Sequence, residues 1–289
     1  MNEIILRAPE PHETARVLHL FRQINVPPLS QVLLAVKTRP IERFVAAVAG
    51  WTEGEFARFQ LAFQPGADQQ HLAKLLIDEA AATARRAGRT QLVYGELLTD
   101  DDERAALLRA NGFEVLRSER FFRADAVLAE NRVHDLAGKF QQLIPQNWRT
   151  ESICERSPEL IMELIAPFRL MPPEEIRRYW KSNSVHGFEP TMSNILFEET
   201  RPFGVLLVRR EGEVLSFDVR VVNHPNARWR GLANLPLLQH CVKHYDRENY
   251  PVRWIQFRGG EMEHRETANL AFRMGGEEMA PRRVFAKTL

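Results

Sequence analysis

An internal duplication constrains the fold of this chain more than any other feature of its sequence. Both halves show the same order of predicted elements, namely strand, helix, three strands, helix, strand, helix and strand. The register agrees as well, because GFEVLRSERFF and GGEEMAPRRVF place Gly112 and Gly275 the same distance before Phe122 and Phe285. Repetition of this kind predicts one fold that is built twice along the chain.

The length and composition agree with two domains. A chain of 289 residues is long for one domain, and its hydrophobic content of 44% supplies apolar material for two cores. Lys and Arg total 39, whereas Asp and Glu total 38. Because the net charge is close to zero, we expect neither nucleic acid nor a membrane surface as a partner.

The repeat predicts an α/β (α+β) fold with two tandem domains, each a mixed, mostly antiparallel central sheet flanked by helices. The predicted domains are residues 1–125 and 149–289. Residues 126–148 are predicted to be helical as far as Pro145 and to link the two domains.

The cysteines and the N-terminus indicate the compartment. Two cysteines, Cys154 and Cys241, are too few for a disulfide framework or a zinc site. The opening MNEIILRAPEPHE has acid and proline where a signal peptide needs basic and then apolar residues. Apolar runs such as FVAAVAGW are much shorter than the ~20 residues that span a bilayer. We expect a reduced, cytoplasmic protein without a bound metal.

The second half carries RWRGLANLPL, residues 228–237, between a predicted strand and a predicted helix. The first turn of a helix has amide N–H groups without intrahelical partners, and its dipole favours negative charge. A glycine there lets a phosphate approach the backbone, and arginines add charge-assisted hydrogen bonds. The segment therefore predicts a phosphate site, and the alternative is a basic surface turn.

This segment and the element order resemble the GNAT superfamily of acyltransferases, named for the Gcn-type N-acetyltransferases. In that family a strand ends in a valine-and-proline segment, followed by Gln/Arg-x-x-Gly-x-Gly/Ala and a helix. Here Pro225 stands three residues before Arg228, and residues 228–233 satisfy the six-residue pattern. Gly204 also fits the glycine that usually precedes the third strand of the family.

The resemblance implies that the second half binds acetyl-CoA, or another acyl-CoA, by its diphosphate, with the pantetheine arm along the end of the preceding strand. Pro236 departs from the pattern, because it removes an amide and is expected to delay the regular helix by a few residues. The coenzyme-binding residues that the resemblance implies are Val222, Asn223, Arg228, Trp229, Arg230, Gly231, Leu232, Ala233 and Asn234.

The first half lacks the same signal. Alignment of Pro65 with Pro225 places Asp68 where the arginine is expected and His71 where the glycine is expected. An aspartate would repel a diphosphate, and a histidine side chain would hinder its approach. We therefore expect the first domain to keep the fold without the coenzyme site.

Asp218 is the candidate catalytic base, because acyl transfer to an amine requires removal of a proton. It interrupts the otherwise apolar strand VLSFDVRVV, where the family often has a Glu or Asp. The alternative is a solvent-facing partner of Arg220, two residues on and on the same sheet face. The tyrosine that often protonates the departing thiolate in the family is absent, since Ala271 and Leu108 occupy its places.

Other candidates have a structural interpretation beside the functional one. Trp229 is expected either to stack on adenine or to pack against a neighbouring loop. Tyr179 and Trp180 fit either an acceptor pocket or the core. His224 and His264 are expected at the surface or as capping residues.

The leading hypothesis is an acyl-CoA-dependent N-acyltransferase that acetylates an amine and has its active site in the second half. The alternative is a non-catalytic acyl-CoA-binding or protein-interaction module on the duplicated fold. The expected acceptor is a small-molecule or peptide amine, and a homodimer is compatible with the sequence.

Overall fold

The computed structural model describes residues 4–21, 31–38, 42–168, 171, 173–181, 187–249, 251–259 and 264–289. The described residues fall into two compact units. Unit 1 lies within Met1–Ser118 and Pro281–Leu289, and unit 2 lies within Glu119–Ala280.

The sheet of unit 1 consists of β1 (Ile4–Arg7), β2 (Gln31–Lys37), β3 (Arg43–Glu53), β4 (Phe56–Phe63), β5 (Gln91–Tyr94) and β13 (Arg282–Thr288). The strands are neighbours in that order. Only the β4–β5 pair among these described neighbours is parallel, and the others are antiparallel.

Helices cover both faces of this sheet. On one face, a 3-10 turn (Pro11–Glu13) leads into α1 (Thr14–Leu20), and Val17 and Phe21 are buried there. The opposite face carries α2 (Gln69–Arg86) and α3 (Glu103–Ala110). Gly88, at a φ of 70°, follows the end of α2, as the sequence predicts for a helix stop.

The sheet of unit 2 consists of β7 (Trp148–Ser152), β8 (Asn194–Glu198), β9 (Arg201–Glu211), β10 (Val214–Val222), β11 (Trp254–Gly259) and the part of β6 (Glu114–Asp125) that begins at Glu119. These strands are neighbours in that order, and β12 (Glu277–Glu278) pairs with β6. The β10–β11 pair is parallel, as β4–β5 is in unit 1.

Helices also cover both faces of the second sheet. One face carries α5 (Pro158–Ile165) and α6 (Pro173–Lys181), with 3-10 turns at Ile153–Glu155 and Ala166–Phe168. The other face carries α4 (Ala126–Phe140), α8 (Asn234–Lys243) and α9 (His264–Arg273). A 3-10 turn (Gln141–Leu143) follows α4, and α7 (Ala227–Leu232) precedes α8.

The predicted fold class is confirmed, and so is the duplication. Each unit has a mixed, mostly antiparallel sheet with one parallel pair and helices on both faces. Gly112 and Gly275, which the sequence placed in register, follow α3 and α9 at φ angles of 79° and 80°. A residue with a side chain adopts this left-handed conformation only with strain, so the glycines mark equivalent helix ends.

The compact units differ from the predicted domains in their last strands. The C-terminal strand β13 pairs with β5 of unit 1, with Ala286 opposite Val93. The last strand of the first half, β6, pairs with β11 of unit 2, with Phe122 opposite Phe257. Each half of the sequence therefore supplies the strand that completes the sheet of the other.

The predicted linker also differs from the structure. Helix α4 ends at Phe140, before Pro145, and it buries Ala129 and Val133 in the core of unit 2. Residues 126–140 are therefore part of unit 2.

Both cysteines are free thiols, with Cys154 exposed and Cys241 buried. Burial raises the pKa of the Cys241 thiol to about 12. No helix in the described part of the chain combines the length and the apolar character needed to cross a bilayer.

Candidate functional site

The sheet of unit 2 opens between its two parallel strands. Pairing of β10 with β11 begins at Val214 and Trp254 and ends at Phe217 and Phe257. Beyond that point β10 continues to Val222 and pairs only with β9 among the described residues. Along residues 218–222, no described strand pairs with the edge of β10 that faces away from β9.

A β-bulge lies where this gap begins. The pairing of β10 with β9 shifts register between Phe217 and Val219, so that Asp218 is the extra residue. Asp218 projects toward the face that carries α6, as Ser216 does two residues earlier, and the bulge then places Val219 on that same face. Bulges often redirect a side chain next to a functional site.

Asp218 is buried, with only 5% of its surface exposed, and its carboxylate is held by two donors. Arg209 of β9 donates to both carboxylate oxygens, and Ser216 Oγ donates to Oδ1 at 2.8 Å. The alternative that Asp218 is a solvent-facing partner of Arg220 is wrong. Arg220 instead projects toward α8 and α9, because the bulge separates the two side chains onto opposite faces.

Two buried arginines dominate the electrostatics beside Asp218. Burial alone would lower the pKa of Arg209, but Asp218, Tyr179 and Glu211 together more than compensate and raise it. Arg258, the first residue of β11 beyond the paired segment, donates to Glu119 at 2.5 and 3.0 Å. Its Nη1 also lies 3.7 Å from Glu175 of α6. The α6 face of the gap is thus lined by buried, mutually neutralised charges.

Asp218→Asn is expected to lower the free energy of unfolding by about 3 kcal/mol, because it leaves the buried Arg209 without its main counter-charge. The matched control is Glu211→Gln, which removes the other carboxylate on Arg209, 2.8 Å from Nη1 but 44% exposed. An exposed pair of this kind is worth at most about 1 kcal/mol. Urea unfolding measures both variants, and equal stability losses would contradict the buried-pair interpretation.

The predicted phosphate-binding segment, residues 228–234, follows this gap and is itself helical. Helix α7 begins one residue before Arg228, because Asn226 caps it and accepts the Arg228 amide at 2.9 Å. The amides of Arg230 and Ala233 donate inside the helix, to Asn226 and Trp229. The prediction that Pro236 delays the helix is therefore wrong, since the helix starts early and is interrupted at Ala233 instead.

The interruption at Ala233 has a local cause. Pro236 has no amide to donate to the carbonyl of Leu232, so α7 ends there and α8 begins at Asn234. The Asn234 side chain donates to the carbonyls of Arg230 and Gly231 at 3.1 and 3.2 Å, which satisfies the end of α7. Asn234 therefore has a structural role in the segment.

Gly231 has no structural reason to be a glycine. A Cβ at this position would meet no heavy atom within 4 Å, and its φ is not positive. Glycine inside a helix costs about 0.5–1 kcal/mol relative to alanine. The missing side chain leaves open surface on α7, which is the feature that close approach of a ligand requires.

Glu266 of α9 lies between an arginine of β10 and an arginine of α7. Its carboxylate is 3.6 Å from Arg230 and 3.8 Å from Arg220. Arg220 also donates to Asn234 at 2.8 Å and to Thr267 at 3.2 Å. Arg220 therefore joins β10, α8 and α9 at the end of the gap, a role that no sequence motif indicated.

A cleft of about 430 Å³ extends over the surface of α7, α8 and α9, with α4 on one side. Five of the predicted coenzyme-binding residues line it, namely Arg228, Arg230, Gly231, Leu232 and Asn234. Residues that were not predicted from the sequence complete the lining, including Phe140, Glu266 and Arg273. The helical spacing of Leu136 and Phe140 was the available signal for the α4 side.

The other predicted coenzyme-binding residues lie outside the lining of this cleft. Val222 is buried at the end of β10, and the Asn223 amide donates to Phe203 at 2.6 Å. Ala233 is fully buried in the core. Trp229 packs against Trp148, with ring centroids 5.5 Å apart, so it has the packing role that was the alternative to stacking on adenine.

Unit 1 has different residues at the positions that correspond to Asp218 and Arg209. The hairpin glycines Gly54 and Gly212 both have a φ of 59° and align the two sheets. Counted from them, Gln60 and Trp51 stand where unit 2 has Asp218 and Arg209. The β3–β4 pairing shows no register shift at this point.

Two further features of unit 1 obstruct the position that corresponds to the candidate site of unit 2. Gly95 follows the last paired residue of β5, and a Cβ there would lie 2.4 Å from the Trp51 ring, so the indole packs directly on the backbone. The Asp68 carboxylate accepts the His71 amide at 3.2 Å and caps α2. The helix start in unit 1 is therefore occupied by a carboxylate of the chain itself.

The remaining candidates have structural roles. Tyr179 is buried beneath Arg209, whose guanidinium carbon lies 4.2 Å from the ring centroid, and burial raises the pKa of its phenol. Trp180 packs against Phe188. His224 accepts the Asn226 amide at 3.1 Å, and the side chain of His264 lies outside the described residues. Within the described ranges no cluster of side chains fits a metal ion.

Solved structures share this architecture over the whole chain. A GCN5-related N-acetyltransferase from Sphaerobacter thermophilus has a TM-score of 0.60 at 14% identity, covering 99% of this chain and 95% of that chain. A tandem GNAT protein from the clavulanic acid biosynthesis pathway has a TM-score of 0.64 at 16% identity, covering 100% and 98%. A GCN5-related N-acetyltransferase from Anabaena variabilis ATCC 29413 has a TM-score of 0.63 at 11% identity, covering 99% and 73%.

No protein-family model matches the sequence, and no curated protein sequence is detectably similar to it. At these identities the structural likeness establishes the fold. The chain has the fold of the GNAT superfamily, and the similarity to a tandem GNAT protein extends over its full length.

Proposed function

We propose that this protein is an acyl-CoA-dependent N-acyltransferase that transfers an acetyl group from acetyl-CoA, or another acyl group from its CoA thioester, to an amine. The observation that carries the proposal is the gap between β10 and β11, which leads to the short helix α7 with Arg228, Arg230 and a glycine that the protein itself does not need. In the GNAT fold this combination suits a nucleotide thioester.

The active site is proposed to lie in unit 2. Unit 1 has the same parallel strand pair, but Trp51 packs at its opening and Asp68 caps its helix. A carboxylate next to a diphosphate costs several kcal/mol through like-charge repulsion. Unit 2 has arginines in the corresponding segment, so the two units differ in the sign of the charge that a coenzyme meets.

The residues of unit 2 fit the coenzyme in specific ways. Arg228 is exposed, and Arg230 is half-buried beside the carbonyls of His224 and Pro225, so both side chains can bind an anion at the rim. The bare surface at Gly231 permits close approach. When bound, the coenzyme supplies an acyl group activated as a thioester.

The acceptor amine must lose a proton, because at neutral pH an amine with a pKa of ~10 is mostly protonated and a protonated amine is not nucleophilic. Asp218 is the acidic residue at the bulge where the gap begins. Its carboxylate accepts hydrogen bonds from Arg209 and Ser216. We therefore propose that Asp218, or a water that it orients, takes the proton from the amine as its nitrogen bonds to the thioester carbonyl carbon, and that the C–S bond breaks with coenzyme A leaving as the thiolate.

Steady-state release of free coenzyme A thiol from acetyl-CoA, measured with a panel of small-molecule and peptide amines, tests this function. Amine-dependent thiol release above the hydrolysis background supports it, and the acylated amine should appear by mass spectrometry. Tight coenzyme binding without transfer to any amine would favour the alternative of a non-catalytic acyl-CoA-binding module. That alternative is favoured by Ala271, which is buried in the core at the place where the family often has a proton-donating tyrosine.

A further inference from the structure

Unit 1 has a groove of its own, on the sheet face that α2 and α3 cover. The second half of α2 lines it together with β2, β3, β4 and β5, and its volume is about 280 Å³. This is about twice the volume of an engineered protein cavity that binds benzene. Apolar side chains from all of these strands line the groove, namely Leu33, Val48, Phe59 and Leu92. The groove therefore has room for a small molecule that contacts apolar surface.

Small residues keep this groove open. On α2 and its C-cap the lining residues recur at positions i, i+3, i+4 and i+7, and they span about 10 Å along the helix. They are Ala80, Thr83, Ala84 and Ala87. Gly50 of β3 also lines the groove, although its φ is not positive and a Cβ there would make only an ordinary contact, 3.7 Å from the Arg58 carbonyl oxygen. The backbone therefore does not require a glycine at this position.

Unit 2 has larger side chains at the corresponding helix positions. The register of the duplicated sequence pairs residues that are buried in both cores, namely Ala73, Ile77 and Ala81 with Ala233, Leu237 and Cys241. In this register, His240 and His244 of unit 2 stand in place of Ala80 and Ala84. The two imidazole rings stack on each other, with centroids 4.2 Å apart.

The sheet shows the same difference. The hairpin glycines Gly54 and Gly212 place Val208 of unit 2 where unit 1 has Gly50. Val208 has no exposed surface and belongs to the core of unit 2. Unit 2 therefore carries side chains that would fill the groove of unit 1, so the groove is not a consequence of the shared fold alone.

The groove carries an arginine without a counter-charge. Arg89 lines it, and its Nη1 donates to the Gly54 carbonyl of the β3–β4 hairpin at 3.2 Å. The Arg89 Nε is buried and has no hydrogen-bond partner among the described residues, which costs free energy. The other arginine of the lining, Arg58, already pairs with Glu53 at 2.5 Å. Within the described part of the chain the lining contains no aspartate or glutamate, so the groove is positively charged beside the hairpin.

The backbone at the end of α2 does not compete for this arginine. The Ala84 carbonyl accepts the amides of Ala87 and Arg89 at 3.1 and 3.0 Å, and the Arg85 carbonyl accepts the Gly88 amide at 2.9 Å. These hydrogen bonds satisfy carbonyls that would otherwise attract a cation. They also fix the backbone of Arg89 beside Ala84, which lines the same groove.

We propose that this groove binds a small carboxylate with an unbranched aliphatic tail, such as a medium-chain fatty acid, with the carboxylate on Arg89. An arginine forms charge-assisted hydrogen bonds with a carboxylate, and the tail buries apolar surface along the small residues of α2. The site is in unit 1 and does not depend on the acyl transfer proposed for unit 2. It gives unit 1 a ligand of a different chemical class from a nucleotide thioester.

Isothermal calorimetry of the full chain with octanoate and with octanamide tests the site, because the two probes share a tail and differ in the charge of the head. The wild-type protein is expected to bind octanoate at least about tenfold more tightly, the usual worth of a hydrogen bond to a charged group. In Arg89→Gln the ratio of the two dissociation constants is expected to fall to about one.

Two further variants fill the groove with the residues of unit 2. Gly50→Val copies Val208, and Ala80→His copies His240 at a partly buried position. Each is expected to weaken the binding of both probes at least about tenfold, because the tail loses its space. Two variants are used so that a folding defect in one leaves the other as the test, and circular dichroism shows which variants are folded.

Arg85→Gln is the matched control, because Arg85 is an exposed arginine of α2 that does not line the groove. It is expected to leave both dissociation constants unchanged. Three results would each overturn the proposal: no binding of octanoate to the wild-type protein, an unchanged ratio in Arg89→Gln, or wild-type affinity in a folded groove-filling variant. These measurements contain no coenzyme, so such a result would leave the function proposed for unit 2 in place.

Discussion

Deletion of residues 281–289 is expected to unfold unit 1, although most of unit 1 lies at the other end of the sequence. These residues form β13, which pairs with β5 and buries Val284 and Phe285. Phe285 has no exposed surface and belongs to the core that α2 and α3 cover. The deletion therefore removes a strand, its ladder of hydrogen bonds and part of a hydrophobic core at once.

Phe285→Ala is a milder change than the deletion, because it truncates one side chain of β13 and keeps the strand. It is expected to lower the free energy of unfolding by about 3–5 kcal/mol, the usual cost of truncating a buried phenylalanine. Thr288→Ala, an exposed position on the same strand, is the matched control and is expected to change stability by less than about 0.5 kcal/mol. Urea denaturation measures these values.

Hydrogen exchange locates the effect. After deletion of residues 281–289, the amides of β5 and α2 are expected to lose protection, because they belong to the unit that β13 completes. Phe122→Ala is the mirror experiment and is expected to deprotect β11 of unit 2, since Phe122 lies opposite Phe257. Protection lost only in unit 2 after the deletion would show that the strands are not exchanged in solution.

Gly231→Glu is expected to reduce the affinity for coenzyme A at least ~100-fold, because it adds both bulk and negative charge where the diphosphate is proposed to bind. Like-charge contact costs several kcal/mol, and 100-fold corresponds to about 2.7 kcal/mol. The side chain has open space, so the free energy of unfolding is expected to stay within about 1 kcal/mol of the wild-type value. Calorimetry with coenzyme A gives the affinity.

His71→Glu in unit 1 is the matched control, because His71 aligns with Gly231 in the duplicated sequence. It is expected to change the affinity for coenzyme A little, since unit 1 is proposed to lack the coenzyme site. A large loss from His71→Glu and none from Gly231→Glu would place the site in unit 1. Such a result would reverse the assignment of the two units.

Much of the fold was predictable from local sequence patterns. Helix α2 follows from the spacing of Leu72 and Leu76 with Gly88 as its stop, and the strands of both sheets follow from apolar runs between turn residues. Gly112 and Gly275 stand the same distance before Phe122 and Phe285, and this match identifies the repeat in the amino-acid sequence. The helix and strand signals are local, because they depend on residues that are close together in the sequence.

The strand exchange was not predictable for a reason that lies in the duplication itself. Because the two halves share one pattern, a strand such as β13 fits the same place in either sheet. Apolar periodicity places Phe285 in a core but cannot say which of two equivalent cores it enters. Only the three-dimensional path of the chain distinguishes them.

The candidate site was predictable where it depends on a motif and not where it depends on packing. The segment with Arg228 and Gly231 was visible as a spacing of residue types. The environment of Asp218 was not, because the expectation that residues two apart share a face fails at a β-bulge. Arg273 and Phe140 come together through helix packing, which a linear motif does not encode.

The exchanged strand also affects how the protein is made. Domains commonly fold as units from the N-terminus while synthesis proceeds. Here unit 1 needs β13, whose residues follow those of unit 2 in the sequence. During synthesis its sheet therefore remains incomplete until unit 2 has been translated, and the early part of the chain exposes unpaired strand edges and apolar surface during that interval.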